Sequence, residues 1–142
     1  DLTGVELISM DLMGADLTGA NLTGANLNRV NLRGADLTNA NLTNANLTNA
    51  TLVKTKFINT NLSHAKLSYA NLNQSEIFNV VLVDAHINSA KITNSKISNS
   101  DLTKANLYRT NLTGTKLSKV NFKDAVFCKT IMPSGQDNSG CK

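Results

Sequence analysis

At 142 residues the chain has room for one domain, and a hydrophobic content of 41% is enough to give it a core. No stretch approaches the length of a membrane span or has the build of a signal peptide. The net charge of +4 is unevenly spread: Asp1, Glu6, Asp11, Asp16 and Asp36 outnumber Arg29 and Arg33 before residue 50, while Lys and Arg dominate after it.

The chain opens inside a repeat and without Met, which points to a processed or trimmed start and leaves room for a removed targeting segment. From Leu2 to Phe127 every fifth residue is Leu, Ile or Phe, with no insertion breaking the phase. These are the centres of a five-residue unit. Two places before each centre sits a small residue, most often Ala, and between them a polar one, most often Asn or Asp. A period of five suits neither a helix, where the apolar positions spiral around the axis, nor a long strand, where they alternate between faces. It suits a chain that turns a corner every five residues and always sends the centre and the small residue inward, where one large and one small side chain fill a narrow interior. Six glycines (Gly4, Gly14, Gly19, Gly24, Gly34, Gly114) and seven asparagines (Asn39, Asn44, Asn49, Asn59, Asn79, Asn94, Asn99) fall two places after a centre. These residue types tolerate the positive φ of tight turns.

The units, of the form Ala-(Asp/Asn)-Leu-x-x, resemble those of the pentapeptide-repeat family from residue 1 to residue 127. The resemblance implies an all-β fold, a right-handed, four-sided parallel β-helix. Four units to a coil would stack residues twenty apart at about 4.8 Å, giving about 6.5 coils and a length of about 30 Å. The all-alanine column Ala25, Ala45, Ala65, Ala85, Ala105, Ala125 agrees with that stacking. A core so thin and full leaves no interior pocket.

Candidate surfaces follow in chain order. Asp1, Glu6, Asp11 and Asp16 occupy the same place in the first four units, one per side, and are expected to keep the open first coil from pairing with another copy, hence a monomer; the alternative is a ring that steers the basic end of another rod into head-to-tail contact. Val53, Ile58, Phe78, Val81 and Val83 are outward by register, and Ile58 and Phe78 stack; this cluster is a candidate partner contact, or ordinary scattered surface. His64, Asp84, Lys104 and Asp124 share a column, with Ser63 adjacent. They read as a charge ladder easing the stack rather than an acid/base site, because no loop projects to build a pocket. Asn39, Asn59, Asn79 and Asn99 form an amide column suited to hydrogen bonding along the stack. The frequent Thr after the centres is broken by Ile58, Phe78, Val83 and Lys123, too often for a flat ice-binding array. Lys91, Lys96, Lys104, Arg109, Lys116, Lys119, Lys123 and Lys129 form a basic group with little aromatic interleaving, which reads as a solvated face rather than a nucleic-acid site.

After Phe127 the register gives way to CKTIMPSGQDNSGCK, with the only Pro and the only two Cys of the chain, expected to form a cap over residues 128–142. Cys128 and Cys141 bracket a short loop and suggest a disulfide; two free thiols in a cytoplasmic protein are the alternative. No further metal ligands lie in the tail. The F-C-x-T-x-M-P-x-G and N-S-G-C elements are similar to the endings of cyanobacterial pentapeptide-repeat proteins, which implies the thylakoid lumen or periplasm, or a chloroplast relative. The expected function is therefore a non-enzymatic structural or protein-interaction rod of unknown partner, with no cofactor and no metal. The family's gyrase-binding DNA mimics are the alternative. That role needs strongly acidic faces and usually a dimer, and this chain is basic over most of its length.

Overall fold

The computed structural model describes residues 1–141, and the repeats wind into a right-handed, four-sided parallel β-helix. Backbone pairs link residue i to residue i+20 from Glu6↔Asn26 through Asn111↔Ile131, which makes each coil four units long. The four sides are named here by their first centres: Leu2 begins the first side, Leu7 the second, Leu12 the third and Leu17 the fourth. Main-chain groups are satisfied between coils. Leu22 N–H donates to the Asn41 carbonyl at 2.7 Å, Gly24 N–H to Thr43 at 2.8 Å, and Asn26 N–H back to Val5 at 2.8 Å. Inside the tube, the centres and the small column are buried from Leu22 to Leu112.

Outside the strands of the fourth side, most corners are turns closed by the small residue on the centre, as where Ala25 N–H meets the Leu22 carbonyl at 3.0 Å. Their third residue takes positive φ, as a type II turn requires. The expectation that Gly and Asn mark these corners holds, and the structure extends it. Ser9, Arg29, Lys54, His64, Tyr69, Gln74, Asp84 and Lys104 also adopt φ between 54° and 61°. The ladder imposes that conformation on whatever residue stands there, at about 1–2 kcal/mol for a residue with a Cβ. At Gly114 an added Cβ would meet the Asn94 side-chain oxygen in the coil below, an exposed side chain that can swing aside, so positive φ is what calls for glycine there.

The polar residue before the centre also has a structural duty. Its side-chain oxygen accepts from the N–H two residues on, as in Asp16 with Thr18 at 3.0 Å, Asn41 with Thr43 at 3.1 Å and Asn61 with Ser63 at 3.0 Å. This is the Asx arrangement, in which the side chain mimics a backbone turn. A Thr in that second place adds its hydroxyl to the same oxygen, which explains Thr after so many centres.

On the fourth side the chain stays extended for three residues in successive coils. β1 (Lys56–Ile58), β2 (Glu76–Phe78), β3 (Lys96–Ser98) and β4 (Lys116–Ser118) form a parallel sheet in that order. Here the small column becomes bulkier, with Thr55 and Thr60, Ser75 and Val80, Ser95 and Ser100 in place of Ala35 and Ala40, and the centres Phe57, Ile77 and Ile97 favour strand. The buried hydroxyls find partners in the coil below: Thr55 and Thr60 donate to the Leu32 and Leu37 carbonyls, each at 2.8 Å. Among the described residues no buried side-chain nitrogen or oxygen lacks a hydrogen bond.

The two ends differ. Leu2, Leu7, Leu12 and Leu17 of the first coil are only half-buried, and Met13 is 63% exposed. At the far end the coil ladder outruns the register: Leu112 N–H still reaches the Ile131 carbonyl at 2.7 Å, and Met132 packs on the core. The chain then folds back as an antiparallel hairpin, β5 (Thr130–Met132) and β6 (Gly135–Asp137). Cys128 and Cys141 are joined in a disulfide across a separation of 13 residues. It draws Gly140 onto Phe127, so close that a Cβ there would sit 2.7 Å from the Phe127 nitrogen. Phe127 in turn packs edge-to-face on Phe122, with ring centroids 5.4 Å apart.

Two outcomes are expected. Lys54→Asn relieves a strained corner without the backbone entropy cost of glycine, and should raise stability by about 0.5–1 kcal/mol; a urea midpoint that stays level or falls would refute the strain. Cys128→Ser with Cys141→Ser should cost about 3 kcal/mol, the value for a loop of this length, and intact-mass measurement of the parent should show two hydrogens fewer than the reduced chain.

Candidate interaction surfaces

With the interior filled, whatever the rod does it does on its four sides. Among the described residues the surface has no pocket and no group of three or more side chains able to hold a metal. His64, Asp84, Lys104 and Asp124 do share a column at the corner of the first side. Ser63 is not turned toward His64; its hydroxyl donates to Asn61 Oδ1 at 2.7 Å. No ion pair joins members of that column either; among the described residues the one salt bridge is Lys56 with Asp36, at 3.4 Å on the fourth side. The column is thus neither a nucleophile–base pair nor a set of salt bridges.

The amide column is as expected over two rungs: Asn59 Nδ2 donates to Asn39 Oδ1 at 3.1 Å and Asn79 Nδ2 to Asn59 Oδ1 at 2.8 Å. Beside it lies the apolar cluster. Ile58 and Phe78 are direct partners in the β1–β2 register. Phe78 is 40% exposed, Val81 is 39% exposed, and Ile58 and Val83 are half-buried. Together they wrap the corner between the fourth and first sides.

Val53 does not belong with them. It lies on the third side and is only 8% exposed. Register sets the direction in which a side chain starts, and not how much solvent it meets.

Charge is sorted around the rod as well as along it. The first and fourth sides mix signs, with Asp36, Glu76, Asp84, Asp101 and Asp124 among Lys56, Lys96, Lys104 and Lys116. The second and third sides have no carboxylate from the second coil to the cap. The four carboxylates of the first coil are exposed on all four sides and engaged within the rod: Asp1 and Asp16 with Thr3 and Thr18, Glu6 and Asp11 with the amides of Asn26 and Asn31 in the next coil. Hydrogen bonds from the Thr18 hydroxyl and N–H hold Asp16 below the usual 3.8, and those from Thr38, aided by Lys56, do the same for Asp36. Asp137 on the cap is lowered by Ser139.

The sequence matches the protein-family model for pentapeptide repeats over residues 15–52, 40–77, 55–94, 85–124 and 105–132, in eight copies. No curated protein matches it significantly. Among solved structures it is similar to a pentapeptide repeat protein of the Arabidopsis thaliana thylakoid lumen, at 27% identity and a TM-score of 0.66 over 68% of this chain and 67% of that one. It is also similar to the pentapeptide repeat protein Rfr23 of the cyanobacterium Cyanothece 51142, at 24% identity and a TM-score of 0.67 over 82% of this chain and 90% of that one. HetL of the cyanobacterium Nostoc sp. strain PCC 7120 aligns at 29% identity with a TM-score of 0.44, over 95% of this chain and 69% of that one.

The lowered carboxylates give a pH dependence of definite sign. Asp16 and Asp36 titrate lower when folded than when unfolded, so their stabilisation is present above about pH 4 and is lost as the pH falls through their folded values. Urea midpoints should be level from about pH 7 to 5 and fall below about pH 4. Asp36→Asn should flatten that fall; an unchanged slope would show that these turns do not set the acid limit.

Proposed function

The chain belongs to the pentapeptide repeat family, and we propose that it serves as a non-enzymatic, monomeric protein-interaction rod in an oxidising compartment, the thylakoid lumen or a periplasm. The observation that carries the interaction reading is the in-register pair Ile58 and Phe78, continued around the corner by Val81 and Val83. Aromatic and aliphatic side chains exposed together on rigid backbone form a contact that loses little entropy on binding. Val53, being buried, is left out of it. What supports the compartment is the disulfide that ties down the cap, of a kind that persists in oxidising surroundings, together with the likeness to a lumenal protein of Arabidopsis thaliana. The second and third sides, without a carboxylate from the second coil to the cap, argue against a DNA mimic, which needs a continuous negative surface.

Ile58→Ser with Phe78→Ser tests the contact. Both side chains begin on the outside, so the double variant should stay within about 1 kcal/mol of the parent while losing most of the partner captured from lumenal or periplasmic extract by the immobilised parent. Equal capture by the two proteins would overturn the contact. Val53→Ser is the folding control: it alters a buried side chain and should destabilise without touching the contact.

A further inference from the structure

The second and third sides meet at the corner diagonally opposite the apolar cluster, half a coil away. From the second coil to the seventh, each coil places a cation on this pair of sides: Arg29, Lys54, Lys66, Lys91, Arg109 and Lys129, all exposed. With coils at the parallel-strand spacing, that is one positive charge about every 4.8 Å along the axis, and no carboxylate interrupts it. The chain's only two tyrosines are on the second side as well. Tyr69 is 62% exposed at a positive-φ corner, φ 61°, in the same column as Arg29 and Arg109. Arg109 holds its guanidinium 5.2 Å from the Tyr108 ring centroid, fixing one cation in place on an aromatic plate.

We propose that this strip is a second docking surface, and that its occupant is an acidic protein face. The argument is one of complementarity. A rigid surface of single-sign charge steers an oppositely charged one, and Tyr and Arg are the residue types enriched among interface anchors. The strip wraps a corner and has no pocket to enclose a small anion. Single-stranded nucleic acid would look for successive stacking platforms. The two tyrosines are two coils apart, about 10 Å, and Tyr108 is already faced by Arg109. A protein surface asks only for matched charge and one or two anchors. The proposal does not depend on the apolar cluster, since the two surfaces share no residue. Together they would let the rod hold two partners back to back.

The test is titration of the full disulfide-bonded chain against fluorescent poly-L-glutamate at low and moderate salt, with a single-stranded oligonucleotide and vesicles containing anionic lipid run beside it. The proposal expects poly-L-glutamate to bind more tightly than the other two, with an affinity that falls as salt rises. Arg29→Glu, Lys66→Glu and Arg109→Glu together should weaken that binding at least tenfold. Lys96→Glu, Lys116→Glu and Lys119→Glu on the fourth side, an equal change in net charge, should alter it less than twofold. Tyr69→Ser should weaken it by threefold or more. The double Ile58/Phe78 variant should bind poly-L-glutamate as the parent does, so the two surfaces can fail separately. Absence of binding, equal loss in both charge-reversed triples, or tighter binding of the oligonucleotide or the vesicles would each overturn the proposal.

Discussion

Every main-chain hydrogen bond between coils depends on one constraint, that residue i meets residue i+20. A unit on its own closes a single turn bond and leaves the rest of its donors and acceptors open; the coils above and below satisfy them. That is why the five-residue phase runs without an insertion over so many units, and why the chain accepts costly local geometry. At Tyr69 or Lys54 the backbone takes positive φ although the side chain disfavours it, because any other φ would move the next side out of register with two coils at once.

Much of this was legible from the residues. Leu every five positions, with Ala two places before, gives the direction of the side chains and the four-sided coil once the stacking is known. The terminal Pro and the paired Cys mark the cap. Three things were not legible, each for a physical reason. Asn and Asp before the centre look merely polar in the sequence; their bond to the N–H two residues on appears only when the turn is built. The extended sheet from Lys56 to Ser118 runs through four stacked centres flanked by Thr, Ser and Val instead of Ala, a change spread over sixty residues. Val53 holds the same place in its unit as Ile58 and Val83 yet is buried where they are not, because exposure is set by the folded surroundings and not by the place in the repeat.

The surface charge has the same character. Read along the chain, Lys and Arg appear as an excess toward the end. Folded, they separate around the axis: Lys66 and Lys91 join a strip without carboxylates, whereas Lys56 lies against Asp36 and Lys104 in a column with Asp84 and Asp124. Positions five apart differ by a quarter turn, so neighbours in sequence belong to different surfaces and distant residues belong to one. In a solenoid of this kind the useful map is the sequence written in rows of twenty.

A quarter turn per unit also makes insertion length a rotation. Adding twenty residues within the array would lengthen the rod by about 4.8 Å and leave every surface above the insertion facing as before. Adding five would keep each centre inside, yet swing everything above it through about 90°, so that Lys91 and Arg109 would pass to the next side while Arg29 stayed where it is. The core would scarcely register the change; the outer surfaces would be reassembled. A lineage that duplicates single units can therefore try new pairings of old surface residues without designing a new fold, and one that duplicates whole coils keeps what it has and reaches further.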